Sequence, residues 1–278
     1  MTASEFIQLA LNEDVQSGDY STLAAIDAGT PGKAILKVKE DGILAGMKWA
    51  ELVFKHVDPN AEITIFLQDG DTIKYGDIAF EVKTDVHTIL KCERLALNIM
   101  QRMSGIATLT KQYVTALGDT NTRILDTRKT TPLFRMQEKE AVKIGGGTNH
   151  RFGLYDMVML KDNHIDFCGG IEKAILKTQD YLKQNNLPIQ IEVETRTVED
   201  VKKVVKVGGI HRIMFDNFEP EMIVEALQIV NGAFETEASG GINMDNIMAY
   251  GKTGVDFISI GALTHHAVSL DLSLKAEI

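Results

Sequence analysis

The stretch IQIEVETRTVEDVKKVVKVGGIHRIMFDN, residues 189–217, contains a complete strand–helix–strand unit. Its two ends, IQIEVE and RIMF, are short apolar runs typical of buried strands. Between them, the segment Val198–Val207 has the spacing of an amphipathic helix. Two strands joined by a helix in this way are expected to run parallel, with a right-handed crossover.

The same alternation continues on both sides of this stretch. Further strand-like runs are RILD (123–126), MVML (157–160), FETEAS (234–239) and FISI (257–260), and further helices are predicted at Ile171–Gln184 and Glu219–Val230. Six strands in a row that alternate with helices favour an α/β barrel, or an incompletely closed barrel, over a doubly wound sheet.

The N-terminal part of the chain has a different rhythm. A short helix is predicted over residues 2–12, followed by a loop over residues 13–22. Three strand-like runs then surround a helix at Met47–Val57, which predicts a small α+β unit. The helical region His87–Leu117, with an interruption near Gly105, is the expected connection between this unit and the barrel.

Composition limits the classes of partner and compartment. The chain has 278 residues, of which 44% are hydrophobic, and its net charge of −10 argues against a nucleic-acid or membrane partner recognised by overall charge. The two cysteines, Cys92 and Cys168, show no disulfide or zinc-site spacing, which favours a reducing cytoplasm. We recognise no secretory leader, and no apolar stretch approaches the roughly 20 residues of a membrane span.

Polar residues or glycines follow every predicted barrel strand. They are Arg128 and Lys129 after RILD, Lys161 after MVML, Glu194 at the end of IQIEVE, Asp216 after RIMF, Ser239, Gly240 and Gly241 at and after the end of FETEAS, and Gly261 after FISI. Because the loops at the carboxyl ends of barrel strands converge on one cavity, we expect these residues to lie together.

The side chains in this set suit an anionic ligand and a metal. The strand-end cations Arg128 and Lys161 suit carboxylates or phosphates, as do His150 and Arg151 of the segment GGGTNHRFGLYD (145–156). Glu194 and Asp216, on neighbouring strands, offer hard oxygens for Mg²⁺. The glycines of SGG allow close backbone approach to a phosphate, and the helix expected after them favours an anion at its N-terminus. The sequence therefore predicts a ligand with several negative charges.

Each of these residues also has an ordinary structural explanation. A lysine at a strand end is more often solvated or salt-bridged than catalytic, and Glu194 and Asp216 could simply pair with nearby cations. A site is favoured because about six independent strand ends present compatible groups.

Two other features are expected to be scaffold. The segment DGDTIKYGDIAFEVKTD (69–85) resembles the hairpin of lipoyl carrier domains, but Val86 stands where their lysine would be. His265 and His266 are adjacent and would not share a helix face, so a metal pair is not expected there.

Seven short motifs occur in order along the chain: DTRKTTP (126–132), GGGTNHRFGLYD (145–156), KDNH (161–164), EVE (192–194), DNF (216–218), SGGI (239–242) and GALTH (261–265). Together with EDVQSGDYST (13–22) and CERLALNIMQRMSGIAT (92–108), this series resembles the quinolinate phosphoribosyltransferase family. The resemblance extends from near the N-terminus to about residue 270, and the ordered combination is highly specific.

The resemblance implies an enzyme, a type II phosphoribosyltransferase. Its fold would combine an N-terminal α+β sandwich domain, residues 1–105 completed by a tail of about residues 266–278, with an incompletely closed α/β barrel, residues 106–265. Its reaction would convert quinolinate and phosphoribosyl pyrophosphate, with Mg²⁺, into nicotinate mononucleotide, CO₂ and pyrophosphate in de novo NAD synthesis. Homodimers would place the small domain of one subunit over the barrel mouth of the other, and assembly of dimers into hexamers is left open.

The resemblance also implies roles for individual residues. The carboxylates of quinolinate would be bound by Arg128, His150, Arg151 and Lys161, with Arg94 contributed by the partner subunit. The phosphoribosyl donor and its metal would be held by the catalytic residues Lys129, Lys161, Glu194 and Asp216, of which the two acids are the metal ligands. The 5′-phosphate would be bound by Ser239, Gly240, Gly241 and Gly261.

Two positions depart from the family's motifs. PLFR (132–135) stands where many relatives read P-G-L-R, and Glu140 stands where an aromatic residue is common, so the loop after Lys129 is expected to move or pack differently.

Three other functions fit part of the pattern. The first is a paralogous phosphoribosyltransferase, either nicotinate-using or associated with molybdenum transport. The second is a Schiff-base barrel lyase that uses Lys161. The third is a non-enzymatic barrel that would bind the phosphoribosyl donor without releasing pyrophosphate.

Overall fold

The computed structural model describes residues 1–277, and the chain divides into two compact units. Unit 1 comprises Met1–Lys111, Met136–Gly146 and the C-terminal segment from Ala267. Unit 2 comprises Gln112–Arg135 and Gly147–His266. Unit 1 thus extends along the chain to Lys111, six residues beyond the predicted domain boundary, and it also includes Met136–Gly146, which lies between two barrel strands in the sequence.

The described residues form eleven helices and twelve strands. The helices are α1 (Ala3–Val15), α2 (Tyr20–Ala25), α3 (Met47–Val57), α4 (Val86–Ala116), α5 (Arg135–Ile144), α6 (Asp162–Cys168), α7 (Ile171–Gln184), α8 (Val198–Val207), α9 (Pro220–Val230), α10 (Ile247–Gly251) and α11 (Ala262–His265). The strands are β1 (Pro31–Val38), β2 (Gly42–Ile43), β3 (Glu62–Ile65), β4 (Thr72–Ile73), β5 (Ile78–Asp85), β6 (Arg123–Leu125), β7 (Met157–Leu160), β8 (Gln190–Thr195), β9 (Arg212–Asp216), β10 (Glu235–Ser239), β11 (Phe257–Ser259) and β12 (Leu272–Ala276).

Unit 1 is built on an antiparallel sheet with the order β12-β1-β5-β3. The C-terminal strand β12 pairs with β1, with Leu274 opposite Leu36. Helix α3 contributes Trp49 and Phe54 to the core, where Phe54 meets Phe80 edge to face at 6.2 Å between ring centroids. The tail therefore completes the small sheet, as the resemblance implied.

Helix α5 belongs to unit 1 because its acidic side chains find partners there. Glu138 is fully buried and accepts hydrogen bonds from Arg102 Nε and NH2 at 3.0 and 2.9 Å. Trp49 Nε1 donates to Glu140 Oε2 at 2.8 Å. The carboxylate of Glu140, one of the two departures from the family's motifs, thus has a structural partner in the indole of Trp49.

Helix α4 is continuous through Gly105, so the predicted interruption there is wrong. A β-carbon at Gly105 would overlap the carbonyl oxygen of Val268, and glycine is therefore what allows the C-terminal segment to cross the helix closely. The predicted loop over residues 13–22 is also partly wrong, since Tyr20 begins α2, with the Asp19 carboxylate accepting the N–H of Thr22.

Unit 2 is built on a six-stranded parallel sheet with the order β6-β11-β10-β9-β8-β7. Successive strands are neighbours, and the first strand pairs with the last, which is the cyclic order of an α/β barrel rather than of a doubly wound sheet. Among the described residues no sheet pairing joins β6 to β7. The strands are buried along most of their length because helices such as α7, α8 and α9 cover them. No helix among the described residues is long and apolar enough to cross a membrane.

Candidate active site

A cavity of about 640 Å³ lies within unit 2 at the carboxyl ends of the strands. It brings together most of the residues predicted from the strand ends. Those that line it are Arg128, Lys129, His150, Arg151, Lys161, Asp216, Ser239, Gly240, Gly241 and Gly261. Residues more than a hundred positions apart in sequence thus form one pocket, which the order of the parallel strands requires.

Two predicted site residues do not line this cavity. Glu194 is 6% exposed in its side chain and lies behind the wall, where its Oε2 accepts a hydrogen bond from Lys161 Nζ at 3.0 Å. Arg94 is exposed on α4, in unit 1. Glu194 therefore contacts the site through Lys161, while Arg94 has no position in the cavity that unit 2 forms.

One flank of the cavity is cationic. Burial and the nearby charge of Arg128 lower the pKa of Arg151. Arg128 Nε is buried, and it has no hydrogen-bond partner among the described residues. Two close guanidinium groups with an unsatisfied buried donor are unfavourable unless an anion binds between them.

The loop after Lys129 is braced by Arg135. Its guanidinium donates to Thr130 Oγ1 at 2.9 Å and to the carbonyl of Phe152 at 2.8 Å. Leu133, where many relatives have glycine, is 74% exposed and has the left-handed φ of 63°. A leucine in this conformation costs on the order of 1 kcal/mol, so the second departure from the motif adds strain at the rim of the site.

The glycine-rich end of the cavity leaves room for a ligand. Gly240 and Gly241 have φ values of 97° and 64°, which orient successive N–H groups as in anion-binding loops. A β-carbon at Gly261 would lie 2.8 Å from His265 Nε2 and 3.0 Å from Lys129 Cδ. The helix expected after the segment SGGINMDN (239–246) is α10, which begins at Ile247, directly after that segment.

The opposite flank carries acidic groups. Asp216 ends β9, and Glu194 lies on the neighbouring strand β8. Burial and the charge of Glu194 raise the pKa of Asp216. Asn217 Nδ2 donates to Asp216 Oδ2 at 2.8 Å and so orients that carboxylate. Two carboxylates that disfavour each other's charge are suited to share a cation.

Deeper along the strands lies a group of side chains that we call the buried charge cluster: His150, Glu192, Arg212 and Glu237. The side chains of Glu192 and Glu237 are 0% exposed, and those of His150 and Arg212 are 4% and 9% exposed. His150 Nε2 lies 3.0 Å from Glu192 Oε2 and 3.2 Å from Glu237 Oε2. Arg212 NH1 donates to Glu237 Oε2 at 3.0 Å.

The members of the buried charge cluster have shifted pKa values: those of His150 and Glu192 are raised, and that of Glu237 is lowered. Burial lowers the pKa of His150, and the Arg151 N–H that Nδ1 accepts opposes protonation of that nitrogen, whereas hydrogen bonds and charges from Glu192 and Glu237 favour the protonated ring. Burial and the charge of Glu237 raise the pKa of Glu192 to about 7. Because these groups lie in contact, they titrate as one set.

Sequence reasoning identified only His150 in this cluster. The available signal was a charged residue at inward positions of otherwise buried strands, as in EVE and ETE. Sequence reasoning also set aside His265 and His266, although both line the cavity with rings 4.3 Å apart. Burial, His266 and Lys129 together lower the pKa of His265. The signal for His265 was its place at the end of the GALTH motif.

The chain is similar to curated enzymes from plants and bacteria. The nicotinate-nucleotide pyrophosphorylase [carboxylating], chloroplastic, of Arabidopsis thaliana is 45% identical over 98% of this chain and 82% of its own length. The probable nicotinate-nucleotide pyrophosphorylase [carboxylating] of Bacillus subtilis is 40% identical over 96% of this chain and 90% of its own. The match thus spans both units.

Solved structures show the same architecture. The crystal structure of NadC from Streptococcus pyogenes superposes with a TM-score of 0.92 at 41% identity, covering 98% of this chain and 94% of that one. Human nicotinic acid phosphoribosyltransferase superposes with a TM-score of 0.60 at 11% identity, which shows likeness of fold alone.

Two family models divide the chain between them. Residues 19–104 match the N-terminal domain of quinolinate phosphoribosyl transferase, and residues 106–275 match its C-terminal domain. The matched segments contain the small antiparallel sheet, the parallel sheet and every residue that lines the cavity. The chain therefore belongs to the quinolinate phosphoribosyltransferase family.

Proposed function

We propose that this chain transfers the phosphoribosyl group of phosphoribosyl pyrophosphate to quinolinate, with loss of CO₂, as a pentosyltransferase of NAD biosynthesis. The products are nicotinate mononucleotide, CO₂ and pyrophosphate. The observation that carries the proposal is a single cavity with paired guanidinium groups on one flank, the carboxylate of Asp216 on the other and an anion-binding glycine loop at its end.

The cationic flank binds the two adjacent carboxylates of quinolinate. Arg128 and Arg151 offer planar guanidinium groups, which match carboxylates better than a point charge does. Lys161 adds an ammonium group from the end of β7, held by its ion pair with Glu194 at 3.0 Å. That ion pair also disfavours a Schiff-base role for Lys161, since such lysines lie in apolar pockets or beside other cations.

The glycine loop and Lys129 bind the phosphoribosyl donor. Gly240 and Gly241 present backbone N–H groups to the 5′-phosphate, with Ser239 and Gly261 beside them. Thr264 Oγ1 donates to the carbonyl of Lys129 at 2.9 Å and so fixes the backbone from which the lysine side chain extends.

The chemistry needs charge stabilisation and no covalent nucleophile. The ring nitrogen of quinolinate forms a bond to the ribose carbon while the bond to pyrophosphate breaks and its electron pair leaves with pyrophosphate. Lys129 and Lys161 stabilise the negative charge that develops on this leaving group. The ring nitrogen becomes positive, so the neighbouring carbon can release CO₂, keep the bonding electrons and accept a proton.

The acidic flank fits a magnesium ion. Glu194 and Asp216 are hard oxygen donors on adjacent strands, and burial and the charge of Glu194 disfavour the ionised form of Asp216, a cost that a divalent cation would relieve. A magnesium ion held by these two residues would supply positive charge to the pyrophosphate group.

The proposal includes a homodimer with shared active sites, in which Arg94 acts on the partner's cavity. What supports this is that Arg94 is exposed on α4 and does not line the cavity of unit 2. The proposal also places the protein in the cytoplasm. Cys92 and Cys168 are both unpaired, as expected of a reducing compartment, whereas several plant relatives are named chloroplastic or mitochondrial.

A pyrophosphate-release assay tests the proposal. Release should require quinolinate, phosphoribosyl pyrophosphate and Mg²⁺ together, and one CO₂ should form per pyrophosphate. Replacing quinolinate by nicotinate should abolish turnover, because half of the carboxylate contacts are lost. Turnover of nicotinate, or borohydride trapping of a carbonyl compound on Lys161, would contradict the proposal.

A further inference from the structure

The buried charge cluster joins three adjacent strands of the parallel sheet. Glu192 of β8 lies opposite Arg212 of β9 in the strand register, and Glu237 lies on β10, the next strand. His150 reaches the two carboxylates from the loop that follows the bridge between Leu125 and Thr148. His150 and Glu237 line the cavity, so the cluster connects the sheet interior to the site.

Stability alone does not account for this cluster. Burying a charged group costs several kcal/mol, and replacing a buried ion-pair network by apolar side chains of similar volume is often neutral or stabilising. Other positions on the same face of the sheet are apolar, for example Met159 opposite Glu192 and Met214 opposite Glu237. The cluster therefore points to a role that an apolar core could not fill.

The cluster reaches the cationic flank through His150. His150 Nδ1 accepts the backbone N–H of Arg151 at 2.6 Å, and the backbone N–H of His150 donates to the buried Asp126 Oδ1 at 2.8 Å. The backbone N–H groups on both sides of the His150 α-carbon are thus held by hydrogen bonds. Any rotation of the imidazole would release the first of these contacts and move the peptide.

We propose that Glu192 and Glu237 are positioning residues for quinolinate binding, because they hold the imidazole of His150 in the orientation that fixes Arg151. The inference rests on the proposed function of the cationic flank. It assigns the two glutamates no contact with the transferred group, so their removal should affect quinolinate more than the phosphoribosyl donor.

The test uses the full chain with the substitution Glu192→Gln, which keeps the shape of the side chain and removes its charge. The KM for quinolinate should rise on the order of tenfold, as for loss of a group that orients a ligating histidine, while the KM for phosphoribosyl pyrophosphate changes by less than about twofold. The thermal midpoint should stay the same or rise, since burial and the charge of Glu237 disfavour an ionised Glu192 in the fold and the variant removes that charge. Glu237→Gln should likewise raise the KM for quinolinate and leave the KM for phosphoribosyl pyrophosphate nearly unchanged.

Two further variants separate positioning from a general structural effect. Glu235→Gln is the matched control, because Glu235 binds the same Arg212 at 2.9 Å but is 45% exposed and does not line the cavity. It should leave both KM values unchanged. Adding Glu192→Gln to His150→Gln should cause no further loss, because the glutamate acts through the histidine.

Each other outcome would overturn the inference. These are an unchanged KM for quinolinate in Glu192→Gln, additive effects in the double variant, and an equal rise of both KM values with a lowered thermal midpoint. A divalent metal bound at one equivalent by the purified wild type and lost in Glu192→Gln would show that His150, Glu192 and Glu237 form a metal site instead. A wild type that releases no pyrophosphate from quinolinate would overturn the proposed function as well, whereas an active wild type with an unaffected variant overturns the inference alone.

Discussion

Side chains of like charge lie close together at the cavity, and the free energy that this repulsion costs can be recovered when a ligand binds. Arg128 disfavours the charge of Arg151, and Glu194 disfavours the charge of Asp216. Neither arrangement stabilises the fold, since like charges in a partly buried site repel. Their separation on two flanks is the arrangement that the proposed binding of a diacid and a cation at the same time requires.

The two flanks should respond differently to substitution. Arg151→Ala should raise the KM for quinolinate about 10- to 100-fold, the range expected for loss of a charge-assisted hydrogen bond, with a smaller effect on the phosphoribosyl donor. Asp216→Ala should show the reverse preference. Steady-state kinetics with each substrate varied in turn measures both effects, and equal small changes in the two KM values would refute the assignment.

The glycine loop offers a prediction with an internal control. In Gly240→Ala the new β-carbon would overlap Asn217 Oδ1 at a φ of 97°, so the loop must shift, and the KM for phosphoribosyl pyrophosphate should rise about tenfold. Gly232→Ala has a φ of 71° but no atom within 4 Å of the new carbon, and it should cost about 1 kcal/mol of stability without changing either KM. Equal kinetics for the two variants would argue against close approach of the phosphate to Gly240.

Sequence reasoning located the residues whose position follows from strand order. Lys129, Lys161 and Asp216 directly follow predicted strands, so parallel pairing alone brings them together. It could not place the Glu194 carboxylate behind the wall, because that depends on the direction of one side chain and its bond to Lys161. The buried charge cluster was missed because charged residues within strands are usually read as solvent-facing.

The helices and strands whose apolar residues recur with a regular spacing were predicted from the sequence. Those that are stabilised by partners far away in the chain were not. Strands β7 to β11 and helices α7 to α9 have apolar faces that the sequence shows directly. Helix α5, RMQEKEAVKI, has few apolar residues, and its burial depends on Arg102 of α4. Strand β12 forms because it pairs with the edge of β1, and these two strands are separated by most of the chain. Local sequence cannot reveal such a distant pairing.

The contact between α4 and the C-terminal segment gives an element-scale prediction. Gly105→Ala should raise helix propensity by about 1 kcal/mol, but its β-carbon would overlap the carbonyl of Val268, so the net effect should be a loss of about 1–3 kcal/mol. Urea denaturation measures the free energy of unfolding. A more stable variant would show that the segment after Ala267 does not approach the helix closely.

At the scale of the whole molecule, stability should depend on pH through the buried charge cluster. The pKa of Glu192 is raised to about 7 from an ordinary value of 4.5, so between these values the folded chain holds a proton that the unfolded chain lacks. The free energy of unfolding should therefore fall as pH rises from 5 to 7, on the order of 1 kcal/mol per pH unit. Denaturation at three pH values measures this slope. Glu192→Gln should flatten it by removing the titrating carboxyl group, and an identical slope in both proteins would contradict the linkage.

The proposal that Arg94 acts on the partner subunit's cavity can be tested by mixing two inactive variants. Arg94→Ala removes a residue of unit 1, and Arg151→Ala disables the cavity of unit 2. If Arg94 serves the partner's cavity, a mixed dimer contains one intact site, formed by the barrel of the Arg94→Ala subunit and the Arg94 of the other. Random association after co-expression should then restore about a quarter of wild-type activity, because half of the dimers are mixed and each has one working site of two. Each variant expressed alone is the control and should remain impaired. Activity that never exceeds the average of the two single variants would place Arg94 at the cavity of its own subunit or outside catalysis.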